Sequence, residues 1–566
     1  MNKEKFNMRR IAIWISSLLC LITIFSCTGD FDEININQQG FTSEEVSAKF
    51  FLTSAQVPLY GPDRFVYWRA HLIHSDRFAG HFTFGHTNSW WNDGLSYDFN
   101  GSYTDAAYGW LSGYFGTVKS FGDLTQPGGE FDNQYMYAMA LIMKGLYFQM
   151  YTETVGMVPF SEAGVDGILT PKYDEQKDIY KGIIADLNQA MSLIGDEERT
   201  GLGVDDAGTN DIYCGGDLQK WKRLANSLKL RIGMRALGAP GDDFAEATIK
   251  EALAAPLLDE SSGSALMKKD FVISEWASSS YGDIWHDFGG NGSAFTVGHT
   301  LINLLKDNND PRLTVYADPA PGGTFIYNDD GSDPQFQTRV DFITTTLDNS
   351  GVEYTKTLGD SSVTIEMAGG QYVGQPVRLN GDIYPYVNYN MFSRPSNLVI
   401  QRRGQQVDAY PEIIMTSAEA YFLQAEAAVR QITTGDPQAL MASGIREAMK
   451  IWGIPSGTAE EYIASAPLAD ISAGTDEEKL EKIALQRWLA SYTDGFEAWA
   501  IVRKTGYPAE LAAGVSDPII YAMGTLNGDY PQRMRYGSGA QANPNYSTAV
   551  STQGPDLQGT KLWFAK

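Results

Sequence analysis

Residues 416–430 read TSAEAYFLQAEAAVR, and this spacing constrains the fold more than any other feature of the chain. Ala418, Phe422, Ala425 and Val429 recur on one face of a 3.6-residue period, with Glu419 and Glu426 beside it. Small and large side chains alternating on one stripe let a second helix approach closely. The pattern returns elsewhere. Residues 134–152 carry Ala138, Leu141, Ile142, Gly145, Phe148 and Gln149 at turn spacing, before a break at Gly156 and Pro159. Residues 178–194 place Ile179, Ile183, Leu187, Ala190 and Ile194 on one stripe. Residues 217–237 and 478–500 continue the theme, the last through Ile483, Leu485, Trp488, Leu489 and Trp499. Paired helices of this composition predict a mainly α, tetratricopeptide-like scaffold whose period is broken by long insertions.

The largest interruption runs from about 259 to 406 and is rich in Gly, Asn, Asp, Ser and Thr. A structureless loop of that length is improbable in a compact domain. Short pieces such as 324–327 and 339–345 read as strands, so the insertion is expected to be an irregular, partly β lobe.

The amino-terminal end predicts a destination. Lys3, Lys5, Arg9 and Arg10 precede a fifteen-residue apolar run, 11–25. This is short of the roughly 20 residues a membrane span needs and has the charge order of a secretory leader. It ends in Ile24-Phe25-Ser26-Cys27, a lipobox, in which the Cys27 thiol would receive the lipid. The acidic stretch that follows, Asp30-Phe31-Asp32-Glu33, resembles a surface-export signal of Bacteroidetes lipoproteins and also suits a solvated tether. Of the three cysteines, Cys20 falls in the leader and Cys27 at the lipid position, leaving Cys214 without a disulfide partner. The net charge of −26, more negative once the basic leader is removed, excludes nucleic-acid binding as the main role.

Several stretches in order along the chain carry a resemblance to a known family. They are YTETVGMVPFSEA at 151–163, PKYD at 171–174, WKRLANSLKLR at 221–231 and DPRL at 310–313, followed by PEIIMTSAEAYFLQAEAA at 411–428 and DGFEAW at 494–499. Together, behind a lipobox, they resemble the SusD/RagB family of nutrient-binding outer-membrane lipoproteins of Bacteroidetes, in its SusD-like branch. The resemblance implies a signal peptide at 1–26, a lipidated acidic tether at 27–45, and one SusD-like domain over 46–566. It implies a lipid-anchored protein facing the cell exterior, partnered by a SusC-like TonB-dependent transporter. The ligand it implies is an oligosaccharide, with an oligopeptide as the alternative and a surface glycoside hydrolase as a third reading. These motifs belong to the scaffold and do not name the ligand.

The ligand is expected where aromatic residues concentrate, with 16 in the 56 residues from 60 to 115. Rings stack on the apolar faces of sugars while placed polar groups bond hydroxyls. Asp76, Arg77, Trp90, Trp91, Asn92 and Asp93 supply that mixture, and Trp276, Tyr281 and Trp285 form a second set. For Trp90 and Trp91, core packing competes with exposure, because adjacent residues in extended backbone point opposite ways.

Other chemistry finds less support. His71, His74, His81 and His86 lie close in sequence but match no zinc template, and hydrogen-bonded or surface histidines are the expectation. The run 328–333, NDDGSD, lacks the spaced ligands of an EF-hand and reads as a solvated turn. The run 201–207, GLGVDDA, follows a helix and carries two acids where phosphate would lie, which argues against a dinucleotide site. No nucleophile elbow is present, and 69 acidic residues make carboxylate pairs uninformative, so neither catalysis nor a cofactor or metal is expected.

Overall fold

The computed structural model describes residues 46–87, 97, 99–269, 280–287, 295–401 and 409–566. Cys27, Trp90, Trp91, Asn92, Asp93 and Trp276 lie outside the described residues.

The helical pairs form as their spacing predicts. In chain order they are α1 (Lys49–Tyr60), α2 (Gly101–Thr125), α3 (Gln134–Val155), α4 (Gln176–Ile194), α5 (Leu218–Ala236) and α6 (Ala245–Leu253). After the insertion come α10 (Ser417–Val429), α11 (Pro437–Ile451), α12 (Asp476–Ala490) and α13 (Gly495–Thr505). Local chemistry sets their starts: the Asn133 side chain accepts from the Tyr135 and Met136 amides at 3.1 Å each, and Thr475 and Glu478 form a reciprocal capping box. The α4 stripe of Ile179, Ile183, Leu187, Ala190 and Ile194 is buried throughout. Gly145 of α3 shows why a small residue is placed opposite large ones. A Cβ there would lie 3.2 Å from Ile183 and 3.3 Å from Leu187 of α4, and 3.5 Å from Leu228 of α5. The architecture is a tetratricopeptide-like helical scaffold.

Two sequence expectations are corrected. Residues 478–500 are not one helix, because Thr493 takes a left-handed φ of 75° and Asp494 then caps α13 by accepting from the Glu497 amide. Residues 339–345 are not a strand but part of α9 (Phe336–Asn349). Their β-branched content suits a strand, yet Phe336, Val340, Ile343 and Leu347 fall at helical spacing and are buried together.

The insertion does build a mixed lobe. Strands β4 (Gly323–Asn328), β5 (Tyr354–Leu358) and β6 (Ser362–Met367) form an antiparallel sheet in the order β4-β6-β5. With α9 it encloses a separate core around Phe325, Ile343, Leu347 and Ile365. Shorter pairings tie the lobe to the scaffold. β1 (Phe82–Thr83) pairs with β3 (Thr296–Val297), and β2 (Ala265–Lys269) pairs with β7 (Ala409–Met415), which leads into α10. Two short helices, α7 (Tyr281–Asp287) and α8 (His299–Asp307), flank β3. Among the described residues no helix is long and apolar enough to cross a membrane.

Candidate functional site

The aromatic-rich segment is helical over 64–78. A helical turn at Arg64–Tyr67, capped by Asp63, passes into a π-helix at Trp68–Ser75 and on to Asp76–Phe78. The wide π turn is a feature often found beside functional sites. Here it turns Tyr67, His71 and Asp76 into the interior.

Asp76 and Arg77 are therefore not rim residues: both side chains are 0 % exposed. Tyr281 is buried as well. The Tyr281 hydroxyl lies 3.0 Å from Asp76 Oδ2 and 3.3 Å from the Thr493 carbonyl. The Tyr281 hydroxyl donates, its proton shared between these two acceptors. Burial pushes the Asp76 carboxyl up to about 8, against the lowering effect of the Tyr281 hydrogen bond. Arg77 lies under Phe84 and Tyr97, its guanidinium 4.4 and 4.8 Å from their ring centroids, and burial lowers its pKa to about 10.

Beside this pair runs a second polar chain. The Tyr67 hydroxyl donates to Glu412 Oε1 at 2.7 Å, and Lys269 bonds the same oxygen while lying over the Tyr67 ring. Tyr67 meets Tyr281 edge-on at 5.5 Å, joining the two chains into a floor. The histidines belong to the same interior. His71 stacks on Tyr67 at 4.3 Å, and His81 packs against Trp488 at 4.7 Å. Burial lowers both to about 3, so they are neutral imidazoles. Among the described residues no three His, Cys, Asp or Glu side chains gather as a metal site.

The proton on Asp76 has a measurable consequence. A carboxyl raised from 3.8 to about 8 binds more protons folded than unfolded across that window, so its contribution to stability falls as pH rises through it. Asp76→Asn keeps the shape and a donor but has no charge to bury. The variant is expected to gain on the parent in urea-denaturation stability between pH 5 and pH 8.5; a constant difference across that range would count against a protonated Asp76.

Above the floor stands an aromatic wall. Trp285 is half-buried, 5.2 Å from Phe295 and 6.4 Å from Tyr389. Tyr389 is covered on its sides by His86 at 4.7 Å and by the Arg394 guanidinium at 4.1 Å. Arg394 Nη2 donates to Asn390 Oδ1 at 2.7 Å, and the Tyr389 hydroxyl has no hydrogen-bond partner among the described residues. The described residues that flank 88–96, 270–279, 288–294 and 402–408 border this floor and wall. Thr87 donates its amide to Val387, Lys269 covers Tyr67, and His286 reaches the Ile400 carbonyl at 3.1 Å. Of the residues picked from sequence, the structure thus brings Trp285 to the wall and places Asp76, Arg77 and Tyr281 beneath or beside it. Tyr389 and Arg394 were missed. Their signal was the aromatic cluster Tyr384, Tyr386, Tyr389 and Phe392 within the insertion, as dense locally as the early one.

Fold and site define a class: a helical-repeat scaffold with a mixed lobe, meeting at an aromatic wall. A family model of SusD-like proteins, described as starch-binding and associating with the outer membrane, matches residues 45–334 and 337–537, and the chain belongs to that family. Its fold is similar to that of a chitin-binding protein at 24% identity and a TM-score of 0.68, over 92% of this chain and 100% of the other. A SusD-like protein from Bacteroides thetaiotaomicron (21% identity, TM-score 0.67) and a SusD homolog from Bacteroides uniformis (21%, 0.68) each match over 92% of this chain and 98% of their own. No curated protein sequence matches at a significant level.

Proposed function

We propose that the protein captures oligosaccharides at the cell exterior and hands them to a SusC-like TonB-dependent transporter, by binding alone. The observation that carries this reading is the Trp285–Tyr389–Arg394 wall. Flat rings suit the C–H faces of sugars, and the Arg394 guanidinium with the amides of Asn388 and Asn390 suits their hydroxyls. Asn92 and Asp93 would add rim partners, while Asp76, Arg77 and Tyr281 hold the wall in position from within. The family's description as starch-binding favours a glycan over an oligopeptide. A lipid on Cys27 would fix the protein beside the transporter, where weak binding suffices because the captured ligand stays at high effective concentration.

The test is calorimetric titration of the full chain with a panel of glycans and peptides. Trp285→Ala is expected to weaken the bound glycan about tenfold, the loss of one stacked ring and its burial, and Tyr389→Ala, a buried ring under Arg394, to weaken it less, by loosening that support. Trp90→Ala and Trp91→Ala are expected to weaken it as well. Unchanged affinity in all four variants would remove the site assignment. Binding of a peptide instead, or turnover of the glycan, would replace the ligand or the mechanism.

A further inference from the structure

A second recess of about 220 Å³ opens where the Asp76–Phe78 turn, residues 377–378 and the stretch 510–531 meet. It shares no lining residue with the aromatic wall. Its walls are pre-set. The Tyr530 hydroxyl donates to the Phe78 carbonyl at 2.6 Å and that of Tyr97 to the Arg77 carbonyl at 3.2 Å, which fixes both rings, and the Tyr97 ring meets Phe78 at 5.6 Å. Leu511 closes one side. Arg378 is locked by four backbone carbonyls, those of Ala522, Met523, Gly528 and Asp529, at 2.7–2.9 Å. Its guanidinium and that of Arg77 both lie over the Tyr97 ring, at 4.6 and 4.8 Å.

The opposite charge also lines the recess. The Glu510 carboxylate is bonded by His299 Nε2 and by the Thr300 hydroxyl at 2.9 Å. Burial pushes this carboxyl up, but His299, through its bond and its charge, and the Thr300 hydroxyl together outweigh it and hold the group below the usual range. Half-buried Tyr521 stands close by, its hydroxyl pushed up to about 12 by burial and by Glu510.

These walls exclude most guests. Two guanidinium groups oppose a cation, and Glu510 opposes an anion. A wholly apolar guest would strip water from Glu510 without replacing its hydrogen bonds. What remains is a neutral ring with an apolar face and hydroxyls that both donate and accept. The volume lies below the roughly 300–1,000 Å³ of pockets for drug-sized ligands, which limits the guest to a single ring. We propose that this recess is a second carbohydrate subsite for one neutral sugar residue, either a free monosaccharide or the end of a captured chain. It rests on the glycan reading above for its ligand class but not for its position.

The test uses the full chain, with saturation-transfer NMR on neutral monosaccharides (glucose, galactose and N-acetylglucosamine) and calorimetry on oligosaccharides. Ser516→Trp, at an exposed lining position, fills the mouth, and Glu510→Gln removes the charge without changing shape. Expected is loss of monosaccharide signal in Ser516→Trp and an affinity about tenfold weaker in Glu510→Gln, as for a lost charged hydrogen bond, with Trp285→Ala unaffected. If free sugars give no signal but Ser516→Trp weakens an oligosaccharide, the guest is a chain end and the subsite stands. Oligosaccharide binding that depends on Trp285 but not on Ser516 or Glu510 overturns the subsite and leaves the wall intact. A parent protein that binds no sugar overturns both.

Discussion

Glu497→Ala is expected to destabilise the protein by about 3–5 kcal/mol, the range for removing one partner from a buried ion pair. Glu497 is the centre of a charge network inside the helical scaffold. Arg235 of α5 approaches both of its oxygens at 2.6 Å, Arg487 of α12 lies at 3.4 Å, and Arg231 of α5 at 3.7 Å. Those arginines reach further acids. Arg231 Nε donates to Glu419 of α10 at 2.7 Å, Arg487 pairs with Glu426 at 3.2 Å, and Arg235 faces Glu153 of α3 at 3.4 Å. Burial pushes the Glu497 carboxyl up, yet Arg235, Arg231 and Arg487 outweigh it and hold the group below the usual range. Alanine would leave three buried guanidinium groups short of one carboxylate. Measured against typical stabilities of about 5–15 kcal/mol, the loss is a large share of the total. The exposed i,i+4 pair of Glu246 and Lys250 is the control, and Glu246→Ala is expected to stay within about 0.5 kcal/mol of the parent. Urea denaturation decides. If Glu497→Ala and Glu246→Ala shift the midpoint alike, the network does not hold the scaffold.

The network explains why the scaffold was legible in the sequence and the site was not. The motifs LANSLKLR, TSAEAYFLQAEAA and DGFEAW carry Arg231, Glu419, Glu426 and Glu497 of this network and lie in helices whose period is readable, with Arg235 one turn beyond the first motif. Local pattern and tertiary role coincide there. At Asp76 and Arg77 they do not. Two charged residues in an aromatic-rich stretch read naturally as a rim. Their burial depends on Tyr281, on Phe84 and Tyr97, and on the Gly495 backbone, most of them remote in sequence and none predictable by spacing. The wall has the same character. Trp285 was found because it stands among turn formers, whereas Tyr389 gains its role only when the lobe brings it against His86 and Arg394. In α9 the β-branched residues pointed to a strand, and only the partners around Phe336 and Leu347 make the helix the better burial.

Gly495→Ala is the second change expected to have a large effect, about 3 kcal/mol or more, through overpacking between two backbones. A Cβ on Gly495 would lie 2.2 Å from Asp76 Oδ1, 2.6 Å from its amide nitrogen and 2.8 Å from its Cα. The carboxylate could swing away, but the nitrogen and Cα cannot move without the turn that holds them. That turn is pinned on its other side, where Trp488 Nε1 donates to the Ala79 carbonyl at 2.9 Å and the Tyr530 hydroxyl to that of Phe78. Relief must therefore come from separating α13 from the π-helical segment. Gly457, in a helix with open space around its Cα, is the control, and alanine there is expected to be neutral or to stabilise by a few tenths of a kcal/mol. An unchanged unfolding midpoint for Gly495→Ala would sink the argument. A second effect should accompany the first. Asp76 is bonded to Tyr281, one turn of α7 before Trp285, so displacing Asp76 displaces the wall. Gly495→Ala is thus expected to weaken glycan capture even where the protein is fully folded, because the residue that marks the scaffold in the sequence also sets the position of the ring that meets the ligand.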